Sequence, residues 1–166
     1  MFTATLDHTW QASHSLPHLP GRCSSIHGHT WRASLTVAGP YLDPSGILLD
    51  FAPLKAHMRA WIDDHLDHAL MLGAGDNLVP LLDPGPGGEP SPLAAAFAQR
   101  GQRLFVFGQD FPDVAWPSVE GIAQLLAHHA HAWLRDSTGR SDLHVASVTV
   151  RETDSASATW HNPTTR

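Results

Sequence analysis

Three histidines lie where the sequence pattern predicts inward-facing positions of two β-strands: His14, His27 and His29. From residue 2 to residue 14 the even positions are mostly apolar and the odd ones polar, which is the period-two pattern of a half-buried strand. His27 and His29 share the parity of Trp31 in the next such run. An inward-facing imidazole is costly unless its nitrogens are satisfied, and a metal ion satisfies them. Antiparallel pairing of the two strands would bring the three rings together, so we predict a metal site.

Zinc is the metal that this set of ligands favours. Three neutral imidazoles suit a catalytic Zn²⁺ that keeps its fourth position open for water or substrate. The alternative for His27 and His29 is a pair of exposed or hydrogen-bonded histidines beside a loop. His8 has the same parity as His14 but lies about 20 Å from it at the rise of a strand. We therefore expect His8 to be a hydrogen-bonded core or interface histidine and not a ligand.

Cys23 is the single cysteine of the chain, and it lies in a Pro- and Gly-containing loop four residues before His27. A lone cysteine is most often a small buried hydrophobic residue. A metal and imidazoles nearby would instead favour the thiolate, which serves as nucleophile or general base. A third interpretation makes the thiolate a zinc ligand, and the sequence leaves these alternatives open.

Asp67 and His68 follow directly on a segment with helical spacing of apolar residues. A carboxylate that orients an imidazole raises its basicity, and such a pair can transfer protons. Most Asp-His dipeptides are surface polar pairs, and adjacent side chains meet only in a turn or with particular rotamers. The pair is a candidate proton shuttle.

Two glutamates are candidates for binding a substrate. Glu152 continues the face that Ala146, Val148 and Val150 form in a predicted strand. It is either a charge emerging into solvent at the strand end or a buried acceptor that pairs with an N–H-rich heterocycle through two hydrogen bonds. Glu120 lies in the first turn of a predicted helix, where the helix dipole alone favours an acidic residue.

The elements that position these residues read strand, strand, helix, helix, strand, strand. Asp50 is expected to cap a helix that ends near His65, and Ser118 to cap the second helix. Residues 83–92 are rich in Pro and Gly and predict a flexible surface excursion, and residues 104–107 predict a short extra strand. The pattern indicates an α+β fold in which two helices pack on one face of an antiparallel sheet.

Length and charge limit the class of protein. The 166 residues are expected to form one domain, and the net charge of −6 without any block of Lys or Arg argues against nucleic acid or an anionic membrane as the main partner. No apolar run approaches the roughly 18 residues that span a bilayer, and the first residues lack the pattern of a signal peptide. With one cysteine, we expect a reducing, cytoplasmic location.

Six short motifs occur in the order and approximate spacing of the 6-pyruvoyltetrahydropterin synthase-like enzymes, which the chain resembles over nearly its whole length. They are Ala12-Ser13-His14, Cys23-x3-His27-Gly28-His29, Asp50-Phe51-x2-Leu54-Lys55, Leu66-Asp67-His68, Pro117-Ser118-x-Glu120 and Glu152-Thr153. The resemblance implies the tunnelling fold, with β-β-α-α-β-β order. It also implies a homo-oligomer in which pairs of trimers form a hexamer and the active sites lie at subunit interfaces.

The resemblance implies a role for each candidate residue. These roles are zinc ligands for His14, His27 and His29, catalysis for Cys23, Asp67 and His68, and pterin binding for Glu152 and Glu120. In the family the Asp-His pair usually comes from a neighbouring subunit.

The three residues between Cys23 and His27 resemble the spacing of the bacterial 6-carboxytetrahydropterin synthases of the queuosine and 7-deazaguanine route. The substrate implied is 7,8-dihydroneopterin triphosphate, and the product is 6-carboxy-5,6,7,8-tetrahydropterin. The alternatives are 6-pyruvoyltetrahydropterin synthase or another pterin side-chain lyase, a non-pterin zinc hydrolase, and a non-catalytic metal-binding module. Two departures stand out: Gly121 replaces the usual Asn, and residues 70–116 are longer than in compact members.

Overall fold

The computed structural model describes residues 1–109 and 111–163, which form six strands and four helices. In chain order these are β1 (Phe2–His14), β2 (His27–Gly39), α1 (Phe51–His65), β3 (Ala69–Gly73), α2 (Val79–Leu82), α3 (Pro92–Gln99), β4 (Arg103–Phe107), α4 (Val119–Ser137), β5 (His144–Thr153) and β6 (Ala156–His161). A short 3₁₀ turn, Arg22–Ser24, lies in the loop between β1 and β2.

The sheet has the strand order β4-β3-β1-β2-β5-β6. Neighbouring strands pair antiparallel in the part of the sheet that contains β1, β2, β5 and β6, as the sequence predicts. The other two, β3 and β4, pair parallel, β3 with the end of β1 and β4 with β3. The sheet is therefore mixed and not antiparallel throughout. Strand β3 runs opposite to β2, which precedes it, and so parallel to β1, its neighbour in the sheet. Strand β4 runs parallel to β3 because the helical connection between them returns the chain in the same direction.

Both long helices pack on one face of the sheet, which confirms the predicted α+β arrangement. The caps are the expected ones: the Asp50 carboxylate accepts a hydrogen bond from Ala52 N at 3.0 Å, and Ser118 Oγ accepts one from Gly121 N at 3.0 Å. The apolar stripes of the helices and the inward positions of β1, β2 and β5 form one core, centred on a fully buried Trp31. None of the helices in the described part of the chain has the length and apolarity needed to cross a membrane.

The segment between the two long helices contains more regular structure than its composition predicts. Strand β4 confirms the expected extra strand, and β3 and the short helices α2 and α3 are additional. Leu72, Val79 and Val106 form a small second core beneath this segment. Residues 83–91 contain neither helix nor strand, and Pro92 opens α3.

The face that β5 presents to the core differs from the sequence prediction at one residue. Thr36 pairs with Ser147 but Val37 pairs with Val145, so a β-bulge leaves Ala146 without a partner residue on β2. Val145 is fully buried and Ala146 only half-buried. The expectation that Ala146 faces the core is therefore wrong, because the extra residue of the bulge reverses the parity at that end of the strand.

A stack of aromatic and imidazole rings joins α1 to α4. In order, the rings are Trp133, His57, His129, Trp61 and His65, with successive centroids 5.9, 4.7, 4.5 and 4.7 Å apart. Burial, together with repulsion from His57 and His65, lowers the pKa of His129 to about 4. At neutral pH the imidazole of His129, at the centre of the stack, is therefore uncharged.

This depressed pKa predicts a loss of stability in mild acid. Between pH 6.5 and about 4 the unfolded chain binds a proton at His129 that the folded chain does not, so the free energy of unfolding falls as the pH falls. We expect His129→Phe, which keeps a ring in the stack, to reduce the stability difference between pH 7.5 and pH 5 by about 1–2 kcal/mol. Urea denaturation at the two pH values measures this. His131→Phe, at an exposed position of the same helix, should leave the difference unchanged, and an equal effect of both variants would contradict the assignment to His129.

Candidate metal centre and adjoining cavity

The register of β1 against β2 brings the three predicted histidines together. His14 lies opposite His27, and Ala12 lies opposite His29, so the rings project from adjacent strands on one face. One ligand atom from each ring lies within 4.8 Å of the others. The predicted juxtaposition is thus confirmed. His8 lies apart from this cluster, with Nε2 at 3.2 Å from the Asp63 carboxylate, as expected for a hydrogen-bonded histidine.

Two backbone carbonyls fix which ring nitrogens are free. His14 Nδ1 lies 2.7 Å from Pro117 O, and His27 Nδ1 lies 2.8 Å from Ser25 O. Because a carbonyl only accepts, both Nδ1 atoms carry hydrogen and both Nε2 atoms carry lone pairs.

These two Nε2 atoms lie 3.1 Å apart, and their lone pairs repel unless a cation lies between them. Nitrogen ligands of a tetrahedral Zn²⁺, at about 2.0–2.1 Å, are separated by about 3.3 Å. The chemistry of the donor set therefore fits the predicted metal ion, and the spacing of the His14 and His27 nitrogens is close to that of a zinc site, while all three ligand atoms lie within 4.8 Å of one another.

The environment favours the uncharged form of two of the three rings, His14 and His29. His14 is 1% exposed, and its ring meets the edge of Trp31 at a centroid distance of 4.9 Å. Burial lowers the pKa of His14 to about 4, against the opposing effect of the Pro117 hydrogen bond. Burial also lowers the pKa of His29, although the Glu152 carboxylate acts in the opposite direction. At neutral pH both rings are therefore in the neutral form that binds a metal.

The segment that supplies the Pro117 carbonyl is held by close packing. A Cβ at Gly73 would lie 2.3 Å from the Trp116 ring, and a Cβ at Gly121 would lie 2.3 Å from the Trp116 carbonyl oxygen. The second contact explains why this chain has glycine where the resemblance leads one to expect asparagine. This support for His14 is not visible in the sequence, since any residue has a backbone carbonyl.

Gly121→Ala is expected to push the Trp116 carbonyl outward and so to displace Pro117. We expect the free energy of unfolding to fall by about 1–3 kcal/mol and the zinc affinity to fall about 10-fold, as for other losses of support around a ligand. Thermal denaturation and competition with a zinc chelator measure the two effects. His131→Ala, on the exposed face of the same helix, serves as the control. An unchanged affinity in Gly121→Ala would show that Pro117 does not orient His14.

Glu152 lies beside the histidine cluster. Arg151 pairs with Ser157 and Thr153 with Ala156, so Glu152 occupies an irregularity in the pairing of β5 with β6. Its carboxylate is 23% exposed and lies 3.9 Å from His29 Nε2, beyond hydrogen-bond distance. The side chain is thus partly buried at the site instead of emerging into solvent.

Cys23 lies in the 3₁₀ turn Arg22–Ser24 and is exposed, so it is not the buried hydrophobic residue of the first interpretation. Its carbonyl accepts a hydrogen bond from Leu16 N at 2.8 Å, which folds the loop back toward the end of β1. Among the described residues, the metal-binding group contains the three histidines and no sulfur. This arrangement leaves the thiol available for chemistry.

Asp67 and His68 meet as a proton shuttle requires. Asp67 Oδ2 accepts from His68 Nδ1 at 2.7 Å, and Oδ1 accepts from Gln11 N at 2.9 Å. The contact depends on a left-handed turn at His68, with φ 56°, which few non-glycine residues adopt. Burial raises the pKa of Asp67, but the hydrogen bonds from Gln11 and His68 outweigh it and lower the pKa. The ionised carboxylate therefore orients the exposed imidazole.

A cavity of about 550 Å³ adjoins both groups. Its wall includes His29 and His68, and the segment between the long helices contributes Phe97 and Arg103. The volume lies within the range of small-molecule sites. Glu120 is exposed in the first turn of α4 and does not line this cavity, so within one chain the structure does not bring it to the site. The contribution of Phe97 and Arg103 could not be predicted from the sequence, because neither residue belongs to a recognisable motif.

Residues 3–163 match the sequence profile of the 6-pyruvoyl tetrahydropterin synthase family. The chain belongs to this family. Solved structures show the shared fold: an uncharacterized protein from Wolinella succinogenes superposes with a TM-score of 0.74 at 21% identity, covering 97% of this chain and 98% of that one. The 6-pyruvoyltetrahydropterin synthase of Plasmodium vivax gives 0.64 at 20% identity, with coverage of 98% and 99%. The expected tunnelling fold is thereby confirmed.

Curated relatives in the family share the name 6-carboxy-5,6,7,8-tetrahydropterin synthase. The protein from Synechocystis is 39% identical over 64 residues, which are 36% of this chain and 50% of the relative. That from Bacillus subtilis is 41% identical over 61 residues, 36% of this chain and 39% of the relative. A probable synthase from Halobacterium salinarum is 28% identical over 147 residues, 89% and 78% of the two chains. The chain thus spans about half the length of the first curated relatives that it matches.

Proposed function

We propose that this protein is a zinc-dependent synthase that converts 7,8-dihydroneopterin triphosphate to 6-carboxy-5,6,7,8-tetrahydropterin, a step of 7-deazapurine and queuosine biosynthesis. The observation that carries the proposal is the pair of Nε2 lone pairs of His14 and His27, 3.1 Å apart beside His29. Membership of the family and the names of the curated relatives support the pterin substrate.

His14, His27 and His29 would hold the zinc ion, which supplies Lewis acidity to the hydroxyl groups of the substrate side chain. Cys23, as thiolate, removes a proton from the side-chain carbon. Asp67 holds His68 in the orientation that transfers protons as the bonds rearrange.

The ring of the substrate needs an acceptor for its adjacent N–H groups. Glu152 provides two carboxylate oxygens for these groups. Among the described residues, no side chain donates a hydrogen bond to either oxygen, and His29 Nε2 lies 3.9 Å away. Glu120, which does not line the cavity of its own chain, would contribute a second acidic group to pterin binding at an interface between subunits. Triphosphate then leaves, water adds, and the bond between the first and second carbons of the side chain breaks. The first carbon stays on the ring as the carboxylate, and the other two carbons leave as acetaldehyde. The pterin ring takes up the electrons that the side chain gives up, so neither step requires an external redox cofactor.

The decisive experiment incubates the zinc-loaded protein with 7,8-dihydroneopterin triphosphate and identifies the products by mass. We expect 6-carboxy-5,6,7,8-tetrahydropterin, triphosphate and acetaldehyde, which carries the two remaining carbons of the side chain. A 6-pyruvoyl product would assign the chain to the other reaction of the family. No turnover of this substrate by the wild-type protein would refute the proposal.

The protein is further proposed to act in the cytoplasm as a homo-oligomer of paired trimers, with active sites at subunit interfaces. Within the described residues, β4 and β6 each pair with a single neighbouring strand, so both edges of the sheet are open to another subunit. The family fold, which joins sheets into a barrel, supports this use of the edges.

Mixing two inactive variants tests the shared sites. If Cys23 and the Asp67–His68 pair meet across an interface, co-refolded Cys23→Ala and His68→Ala chains regain up to about one quarter of wild-type activity, because some interfaces then combine two intact halves. Each variant refolded alone is the control. Absence of any recovery in oligomers that contain both chains would place the catalytic groups in one subunit.

A further inference from the structure

The first residue of β4, Arg103, contacts the turn that holds the candidate proton shuttle. Its half-buried guanidinium donates from Nη1 to the Asp67 carbonyl at 2.9 Å and from Nη2 to the Asp64 carbonyl. Both acceptors lie at the carboxyl end of α1, where backbone carbonyls lack helical partners and a positive charge is favourable. One side chain thus satisfies two carbonyls at the end of the helix.

The turn that follows needs support. α1 ends at His65, and within three residues the chain adopts the left-handed conformation at His68. That conformation costs an L-residue about 1–2 kcal/mol, and it persists where surrounding contacts determine it. The described contacts come from two sides: Gln11 bonds to Asp67 and His68 from β1, and Arg103 bonds to the Asp67 carbonyl from β4.

We infer that Arg103 is a positioning residue, which holds the turn at Asp67 and His68 so that the imidazole faces the cavity. Its catalytic consequence rests on the proposed function. The segment between the long helices thereby has a role at the site, because it contains β4, the strand that begins with Arg103.

A second interpretation of Arg103 is direct contact with an anionic group of the substrate, because Arg103 also lines the cavity. The hydrogen bonds favour the positioning role. Both terminal nitrogens already donate to backbone carbonyls, so a phosphate would have to share the guanidinium with these two acceptors. The two roles predict different kinetics.

The test compares Arg103→Gln, Arg103→Lys and Arg103→Ala with wild type. Glutamine retains a donating amide group but has no charge. Lysine retains the positive charge but lacks the paired N–H groups of the guanidinium. Arg100→Ala, an exposed arginine just before β4, is the matched control. For a positioning residue, we expect kcat to fall about 10- to 100-fold in Arg103→Ala, with KM within about twofold of wild type and partial recovery in Arg103→Lys. A raised KM with unchanged kcat would overturn the inference in favour of anion binding.

Hydrogen exchange gives a readout that needs no turnover. The His68 amide donates to Gln11 O at 2.6 Å, and its exchange should accelerate at least about 10-fold in Arg103→Gln and Arg103→Ala but not in Arg100→Ala. Unchanged exchange at His68 in Arg103→Gln, with the fold intact by circular dichroism, would overturn the inference. If the wild type proves inactive on the pterin substrate, the proposed function fails while this measurement still decides the role of Arg103.

The pH profile adds a third distinction. Arg103 is among the groups that lower the pKa of Asp67. Its removal therefore raises that pKa, and the acid limb of the kcat profile moves to higher pH. A loss of activity caused only by partial unfolding would lower kcat at all pH values without moving this limb.

Discussion

Replacing Cys23 with alanine is expected to lower turnover by about 10³-fold or more while the zinc content stays unchanged. The exposed thiol lies outside the group of histidine ligands, so its removal should cost the reaction its base but leave the metal in place. General-base catalysis of this kind contributes about 10²–10⁴-fold. Single-turnover kinetics and metal analysis of the same preparation measure the two quantities.

Ser25→Ala is the matched control, since Ser25 lies in the same loop and contacts His27 through its backbone carbonyl alone. It should retain both zinc and activity. Zinc loss in Cys23→Ala would show that the thiolate is a zinc ligand. Full activity of the variant would show that Cys23 takes no part in the reaction.

Replacing His27 with alanine is expected to weaken zinc binding by at least about 100-fold and to abolish turnover at equimolar zinc. Loss of a direct ligand should exceed the 10- to 100-fold effects of changes in the surrounding hydrogen bonds. His27 is the better target than His14, because His14 is 1% exposed and its removal would also leave a hole in the core. Isothermal titration with Zn²⁺ measures the affinity.

The control for this variant is His8→Ala, which removes a histidine from the same face of β1. His8 bonds to Asp63 and lies outside the cluster, so zinc affinity should remain at the wild-type value. Equal losses in the two variants would show that the histidine cluster is not the zinc site.

Local sequence patterns were sufficient to predict the framework of the site. The alternation of residue types in β1 and β2 depends on the pleat of each strand, so it places the three histidines on one face without knowledge of the rest of the fold. Caps at Asp50 and Ser118 are likewise interactions within a few residues, and both were found as expected. The candidate ligands and the caps were therefore readable from neighbouring residues.

Other features depend on residues far apart in the chain. The bulge that turns Val145 and not Ala146 inward arises from pairing with β2. A five-residue apolar run such as Ala69–Gly73 does not reveal whether it forms a strand or which neighbour it joins. Its parallel pairing with β1 depends on the path of both β2 and α1, which lie between the two strands in the chain.

The sequence by itself determined that three inward imidazoles share one face of a strand pair, with a thiol, an Asp-His pair and a glutamate elsewhere as candidates. Only the tertiary structure decided which nitrogens of the rings are free, because the acceptor for His14 is a backbone carbonyl 103 positions away at Pro117. It also decided that Arg103 supports the turn at His68. Side-chain alternation is a local property of the backbone, whereas these supporting hydrogen bonds depend on packing between distant segments and leave no trace in residue type.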